Sequence, residues 1–112
     1  MNVTEATKDG VLVLSPAGRI DTRTASDFEQ AVIARATGPD AATRIVMNFE
    51  GVDYINSTGM RVLLILAKTL SRASGKLVLC SMKEHIFEVF KISGFNQILT
   101  ITLTEEEALA RF

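Results

Sequence analysis

Apolar positions along the chain alternate between two spacings, and the switches between them predict the elements. Val11-Leu12-Val13-Leu14 is a short unbroken apolar run, suited to a strand buried on both faces. Pro16 lacks an N–H, so it is expected at an edge, a bulge or the strand's end. Residues 2–7 are predicted to pair with this strand through a turn at Lys8-Asp9-Gly10. Thr24-Ala25-Ser26-Asp27 reads as a capping box, with the Thr24 hydroxyl accepting from a first-turn N–H. The helix behind it sets Ala25, Phe28, Ala31 and Val32 on one face and stops at Gly38-Pro39.

Ile45 to Phe49 returns to period two, with Ile45, Met47 and Phe49 on one side. Asn56 to Gly59 then leads into a helix to about Ala73, closed by Gly75. Its stretch Val62 to Ala67 is apolar all round, which predicts deep burial, with Leu63, Leu66, Ala67 and Leu70 fully enclosed. Lys76 to Cys80 is a strand. Ser81 with Glu84 is expected to cap a helix bearing Ile86, Val89 and Phe90 that ends at Gly94. Ile98 to Ile101 is a last strand, and Thr104 with Glu107 caps a closing helix whose Ala108, Leu109 and Phe112 face inward. Strands alternating with helices imply an α/β fold. The expectation is a mostly parallel sheet of about four to five strands with about four helices, forming one domain over residues 1–112.

Composition narrows the function. Hydrophobic residues make up 47% and charged residues 22% of the 112, the balance of a folded globular chain. Twelve Lys and Arg oppose 13 Asp and Glu, so no basic excess suits the chain to duplex nucleic acid. One cysteine, Cys80, makes no internal disulfide, and with a single histidine, His85, it builds no four-ligand zinc site. Cys80 ends an apolar strand and reads as an inert buried thiol; His85 reads as an ordinary mid-helix residue. Glu105-Glu106-Glu107 suits a helix N-terminus. A Gly-rich phosphate loop is absent, as are a basic-then-apolar leader and an apolar run of the ~20 residues a membrane helix needs. The expectation is a soluble cytoplasmic protein that is not an enzyme and binds no cofactor.

The remaining chemistry lies in Asp53-Tyr54-Ile55-Asn56-Ser57-Thr58-Gly59-Met60-Arg61-Val62-Leu63, a loop feeding a helix N-terminus. Ser57 there has two readings: an N-cap, or a phosphoacceptor whose added charge would rest on the helix dipole.

Asn56-Ser57-Thr58-Gly59-Met60 resembles the Asp-Ser-Ser/Thr-Gly-Leu signature of STAS domains, above all those of bacterial anti-sigma factor antagonists. Ala17-Gly18-Arg19-Ile20-Asp21 is similar to that family's Gly-Glu-Leu-Asp stretch. Phe87 to Phe95 resembles its Leu-Phe-Asp-x-Ser/Thr-Gly-Leu stretch. The resemblance implies a binding module whose partner is an anti-sigma factor with serine kinase activity, with capture of that partner freeing a sigma factor. The kinase would phosphorylate Ser57, with Thr58 as second choice, and a phosphatase would restore it; ATP belongs to the partner. Asp21, Thr22, Asn56, Ser57, Thr58, Gly59, Met60 and Arg61 are the implied partner-binding residues. Asn56 replaces the family's usual Asp, and Arg61 stands where the antagonists often carry a small residue. Two other STAS roles fit the same signature: a subunit docked on a membrane transporter or lipid-trafficking ATPase, and a scaffold in a signalling assembly.

Overall fold

A computed structural model describes residues 1–112. The elements are β1 (Asn2–Lys8), β2 (Val11–Ile20), α1 (Ala25–Arg35), β3 (Arg44–Asn48), β4 (Val52–Ile55), α2 (Ser57–Arg72), β5 (Lys76–Cys80), α3 (Glu84–Ile92), a 3₁₀ turn (Phe95–Gln97), β6 (Thr100–Thr102) and α4 (Glu105–Leu109). The sheet runs β1-β2-β3-β5-β6, with β1 antiparallel to β2 and the other pairs parallel. Asp9 and Gly10 both take positive φ, 54° and 76°, so the expected hairpin closes through a two-residue primed turn that follows the sheet's twist.

Alternation sorts the strands onto two cores. Leu12, Leu14, Ile45, Met47, Leu77 and Leu79 point to the face covered by Phe28 and Val32 of α1, Leu63, Leu66 and Leu70 of α2, and Ile86 and Phe90 of α3. Val11, Val13, Val46, Val78 and Cys80 point to the other face, where Ala108, Leu109 and Phe112 cover them. Coverage on both sides explains why these strands read as apolar runs. Phe49 meets Phe90 edge to face, with centroids 6.0 Å apart. No helix is long and apolar enough to cross a membrane.

The sheet has six strands, one more than the upper expectation. The extra one is β4, in a stretch read as loop. β2 pairs with β3 at Leu12–Leu14 and with β4 at Gly18–Ile20, and Pro16 falls between the two pairings, where no ladder bond to either is required. Ala31 is exposed because α1 buries only the narrow stripe Ala25, Phe28 and Val32. Ala67, Leu64 and Ile65 are half-buried, since α2 lies along the sheet and turns one flank toward α1. Thr24 precedes α1 but makes no cap bond; its Oγ1 accepts from Asp21 N–H at 2.9 Å and donates to Arg19 O at 2.8 Å. Ser81 does not cap α3, which begins after Lys83 with no side-chain cap. The last strand starts two residues later than expected because Phe95–Gln97 coils first, leaving Ile98 66% exposed. Thr104 caps α4 as predicted, its Oγ1 accepting from Glu107 N–H at 3.1 Å.

Candidate functional site

Parallel pairing places Ile20, the last residue of β2, beside Ile55, the last of β4. The segments that follow, Asp21–Thr24 and Asn56 into α2, therefore leave the same end of the sheet side by side. Asn56 joins them. Its N–H donates to Ile20 O at 3.2 Å, its Oδ1 accepts from Gly59 N–H at 3.2 Å, and its Nδ2 donates to Thr22 Oγ1 at 3.4 Å. Asn56 is thus the N-cap of α2, and that cap reading of Ser57 does not hold. Ser57 is the first helical residue, exposed, and its hydroxyl makes no hydrogen bond within the chain.

Glycine at position 59 is a packing requirement. A Cβ there would stand 2.6 Å from Ile20 Cγ2, 2.9 Å from Ile20 O and 3.0 Å from Ile55 Cγ1. The missing side chain lets the first turn of α2 rest directly on the ends of β2 and β4. Met60 is buried in the main core. Gly59 and Met60, implied as partner-facing, are therefore under the surface and support the loop from below. Thr22, Ser57, Thr58 and Arg61 are exposed, and Asp21 and Asn56 are half-buried.

The Asp21 loop is held from several directions. Asp21 Oδ1 accepts from Arg23 N–H at 3.0 Å, and Oδ2 pairs with Arg19 Nε at 3.3 Å. Burial pushes the Asp21 carboxyl up, but the Arg23 N–H, the Arg19 guanidinium and the Thr24 N–H outweigh it and hold it below the ordinary range. Arg19 also lies 4.1 Å from the centroid of the Tyr54 ring, its cross-strand partner. On the opposite flank Lys83 pairs with Asp53 at 2.6 Å, and His85 Nε2 meets Asp53 O at 2.7 Å. The Lys83 ammonium keeps the Asp53 carboxyl below its usual range. These contacts tie the start of α3 to β4 just ahead of Asn56. Arg19, Tyr54 and Lys83 were not among the predicted site residues. Arg19 was findable from Asp21, because extended backbone sets residues two apart on the same side and β2 runs up to Ile20.

Thr58 and Arg61 line an open groove of about 720 Å³ between α1 and α2, with Thr22, Glu29, Ile33 and Ile65. Elsewhere, Cys80 is buried and its thiol is pushed up by that burial, as expected of an inert core cysteine. His85 is exposed on α3, and Glu105 binds Lys8 and Asn48 at the start of α4.

The assembled geometry is an exposed hydroxyl on a rigid ledge, bounded by a fixed carboxylate and a groove. Comparison with known proteins gives the family and the fold. Over 112 residues, all of this chain and 95% of the relative, the sequence is 37% identical to BtrV of Bordetella bronchiseptica, described as an anti-sigma factor antagonist. The fold superposes with a TM-score of 0.89 on an anti-sigma factor antagonist of Thermotoga maritima, at 22% identity, covering 97% of this chain and 92% of that one. It also superposes on the Bacillus cell fate determinant SpoIIAA in its phosphorylated form, with a TM-score of 0.71, 22% identity and 98% of each chain covered. The STAS domain model matches residues 2–108, and the chain belongs to the STAS domain family.

Proposed function

We propose that this chain is an anti-sigma factor antagonist, a binding module turned off by phosphorylation of Ser57. Its partner is an anti-sigma factor that is also a serine kinase, and its capture frees a sigma factor. The observation that carries the reading is the state of Ser57: exposed, first in its helix, and unengaged because Asn56 holds the cap. The 37% identical relative is described as an anti-sigma factor antagonist, and SpoIIAA, of the same fold, exists in a phosphorylated form.

In the proposed cycle the kinase transfers the γ-phosphoryl group of ATP to Ser57 Oγ. An Oγ–P bond forms, the bond to ADP breaks, and the hydroxyl proton is released. A phosphatase hydrolyses that bond with water, returning the hydroxyl and inorganic phosphate. The chain supplies only the acceptor and the docking surface. A phosphoserine carries about −1.5 to −2 charges, set beside the Asp21 loop on a surface that is otherwise neutral at Ser57 and Thr58. Repulsion and desolvation at that spot then oppose docking.

The test is mass spectrometry after incubation with the candidate kinase and ATP, paired with titration of variants. Modification should map to Ser57, or to Thr58 as the second acceptor. Ser57→Ala should bind without being modified. Ser57→Asp should bind about a hundredfold more weakly, a change of only about 2.8 kcal/mol. Modification mapped elsewhere, or equal binding by wild type and Ser57→Asp, would refute the switch and favour a docking subunit of a transporter or ATPase.

A further inference from the structure

The basic side chains around Ser57 are not equivalent. Arg19 is committed to Asp21 and the Tyr54 ring, and Lys83 is committed to Asp53. The Arg61 guanidinium has no carboxylate within ion-pairing distance and makes no hydrogen bond within the chain, although Glu29 lines the same groove. It lies four residues after Ser57 on one continuous helix and borders the groove with Thr58 and Thr22. Helical side chains lean toward the N-terminus, so a long side chain covers the turn before its own Cα. For Arg61 that turn is the one that begins with Ser57. An acid placed four residues ahead of a base is also the favourable order for a helical ion pair.

We propose that Arg61 captures the Ser57 phosphate in cis, so that one modification changes the partner-facing surface twice. It adds a dianion at Ser57, and it withdraws the free guanidinium from the rim of the α1–α2 groove. In the unmodified chain that guanidinium is available to an acidic group on a partner; in the modified chain it is occupied. Glu29 on α1, Arg19 near the end of β2, and Asp21 and Arg23 in the loop that follows are the other charged groups on the neighbouring elements, with Arg19 and Asp21 already paired to each other. The inference rests on Ser57 being the acceptor, and it is tested without kinase, phosphatase or partner.

Phosphoserine is installed at position 57 during translation in the full chain, and its second ionisation is followed by ³¹P NMR at low salt. That ionisation lies ordinarily near pH 6. In the wild-type background it should fall about 0.2–0.4 pH unit below that of the Arg61→Gln chain. Arg61→Lys should retain much of the difference, and raising the salt to about 1 M should erase it, because the screening length is then about 3 Å. The Arg61 Nε–H resonance should shift on phosphorylation and follow the same titration. Circular dichroism confirms that each variant is folded. Equal ionisation in wild type and Arg61→Gln overturns the proposal, as does a larger displacement from Arg23→Gln than from Arg61→Gln. A kinase that modifies another residue would overturn the choice of Ser57 and leave the Arg61 measurement unaffected, so the two failures are distinguishable.

Discussion

Replacing Gly59 with alanine tests the packing that sets Ser57 in place. The added methyl would stand 2.6 Å from Ile20 Cγ2, where ordinary carbon contacts need about 3.5–4.0 Å. The methyl group of Ile20 cannot retreat, because Ile20 is fully buried. The carbonyl of Ile20, 2.9 Å from the same point, is fixed by the bond it accepts from Asn56 N–H. The first turn of α2 must therefore lift off the sheet. Overpacking of this kind costs about 1–3 kcal/mol. Alanine's helical preference over glycine returns at most about 1 kcal/mol, and less in a first turn. The net loss should be about 1–2 kcal/mol. With unfolding entropy of about 2.1 cal/mol/K per residue, a chain of 112 residues should lose about 4–8 °C in Tm. Urea unfolding and calorimetry measure it directly. Amide exchange at Asn56 should accelerate as its bond to Ile20 stretches. A midpoint equal to or above wild type, with Asn56 exchange unchanged, would refute the argument that Gly59 is there for close approach.

Three further outcomes follow from the same geometry. Leu66→Ala, at a fully buried position facing the sheet, should cost about 2–5 kcal/mol in denaturant unfolding; an unchanged midpoint would mean the helix packs less deeply. Ser57→Asp should leave stability equal or raise it by about 0.3–1 kcal/mol, since α2 has no acid in its first turn; a clear loss would show that the hydroxyl does structural work. Lys8, then Asn48, holds the Glu105 carboxyl below its ordinary value. A depressed folded value means stability that is present above the unfolded pKa of about 4.3 and lost as pH falls through the folded one. Lys8→Met should accordingly flatten the acid limb of the stability curve below about pH 4.3, and an unaltered limb would remove that pair from the account.

What the sequence made legible was whatever a period or a single residue type expresses. The buried stripe Leu63, Leu66 and Leu70 is helical spacing alone, and Lys76–Cys80 is a run bounded by Gly75. The Asp9-Gly10 turn needs no more than its two residues. β4 was hidden because only Val52 and Ile55 of its four residues face the core, and its partner is the half of β2 beyond Pro16. That pairing is tertiary, and no local pattern expresses it. The Thr24 pattern misled for a related reason: the hydroxyl found Asp21 N–H and Arg19 O in the preceding loop, and these compete with the helix. At the site, the signature identified Asn56 through Arg61 but not which of them face outward. Helical rotation decides that, and it turns Gly59 and Met60 into the core while leaving Ser57, Thr58 and Arg61 outside.

The placement of the cap one residue before Ser57 has a consequence for how a switch can work here. Were Ser57 the N-cap, its oxygen would accept a first-turn N–H, and esterifying it would disturb the helix start along with the surface charge. With Asn56 holding Gly59 N–H and Thr22 together, the helix start is secured independently of the Ser57 hydroxyl. Gly59 seats that start on Ile20 and Ile55, and Thr24 and Arg23 N–H fix the neighbouring Asp21 loop from its own side. A phosphate at Ser57 therefore meets a frame already determined by other residues. Under the proposed switch, the two states would differ in the charge of one face and in the engagement of Arg61, with the same fold beneath them. A partner that reads that face would then distinguish them by electrostatics at contact, and the proposed switch requires no folding transition between binding and release.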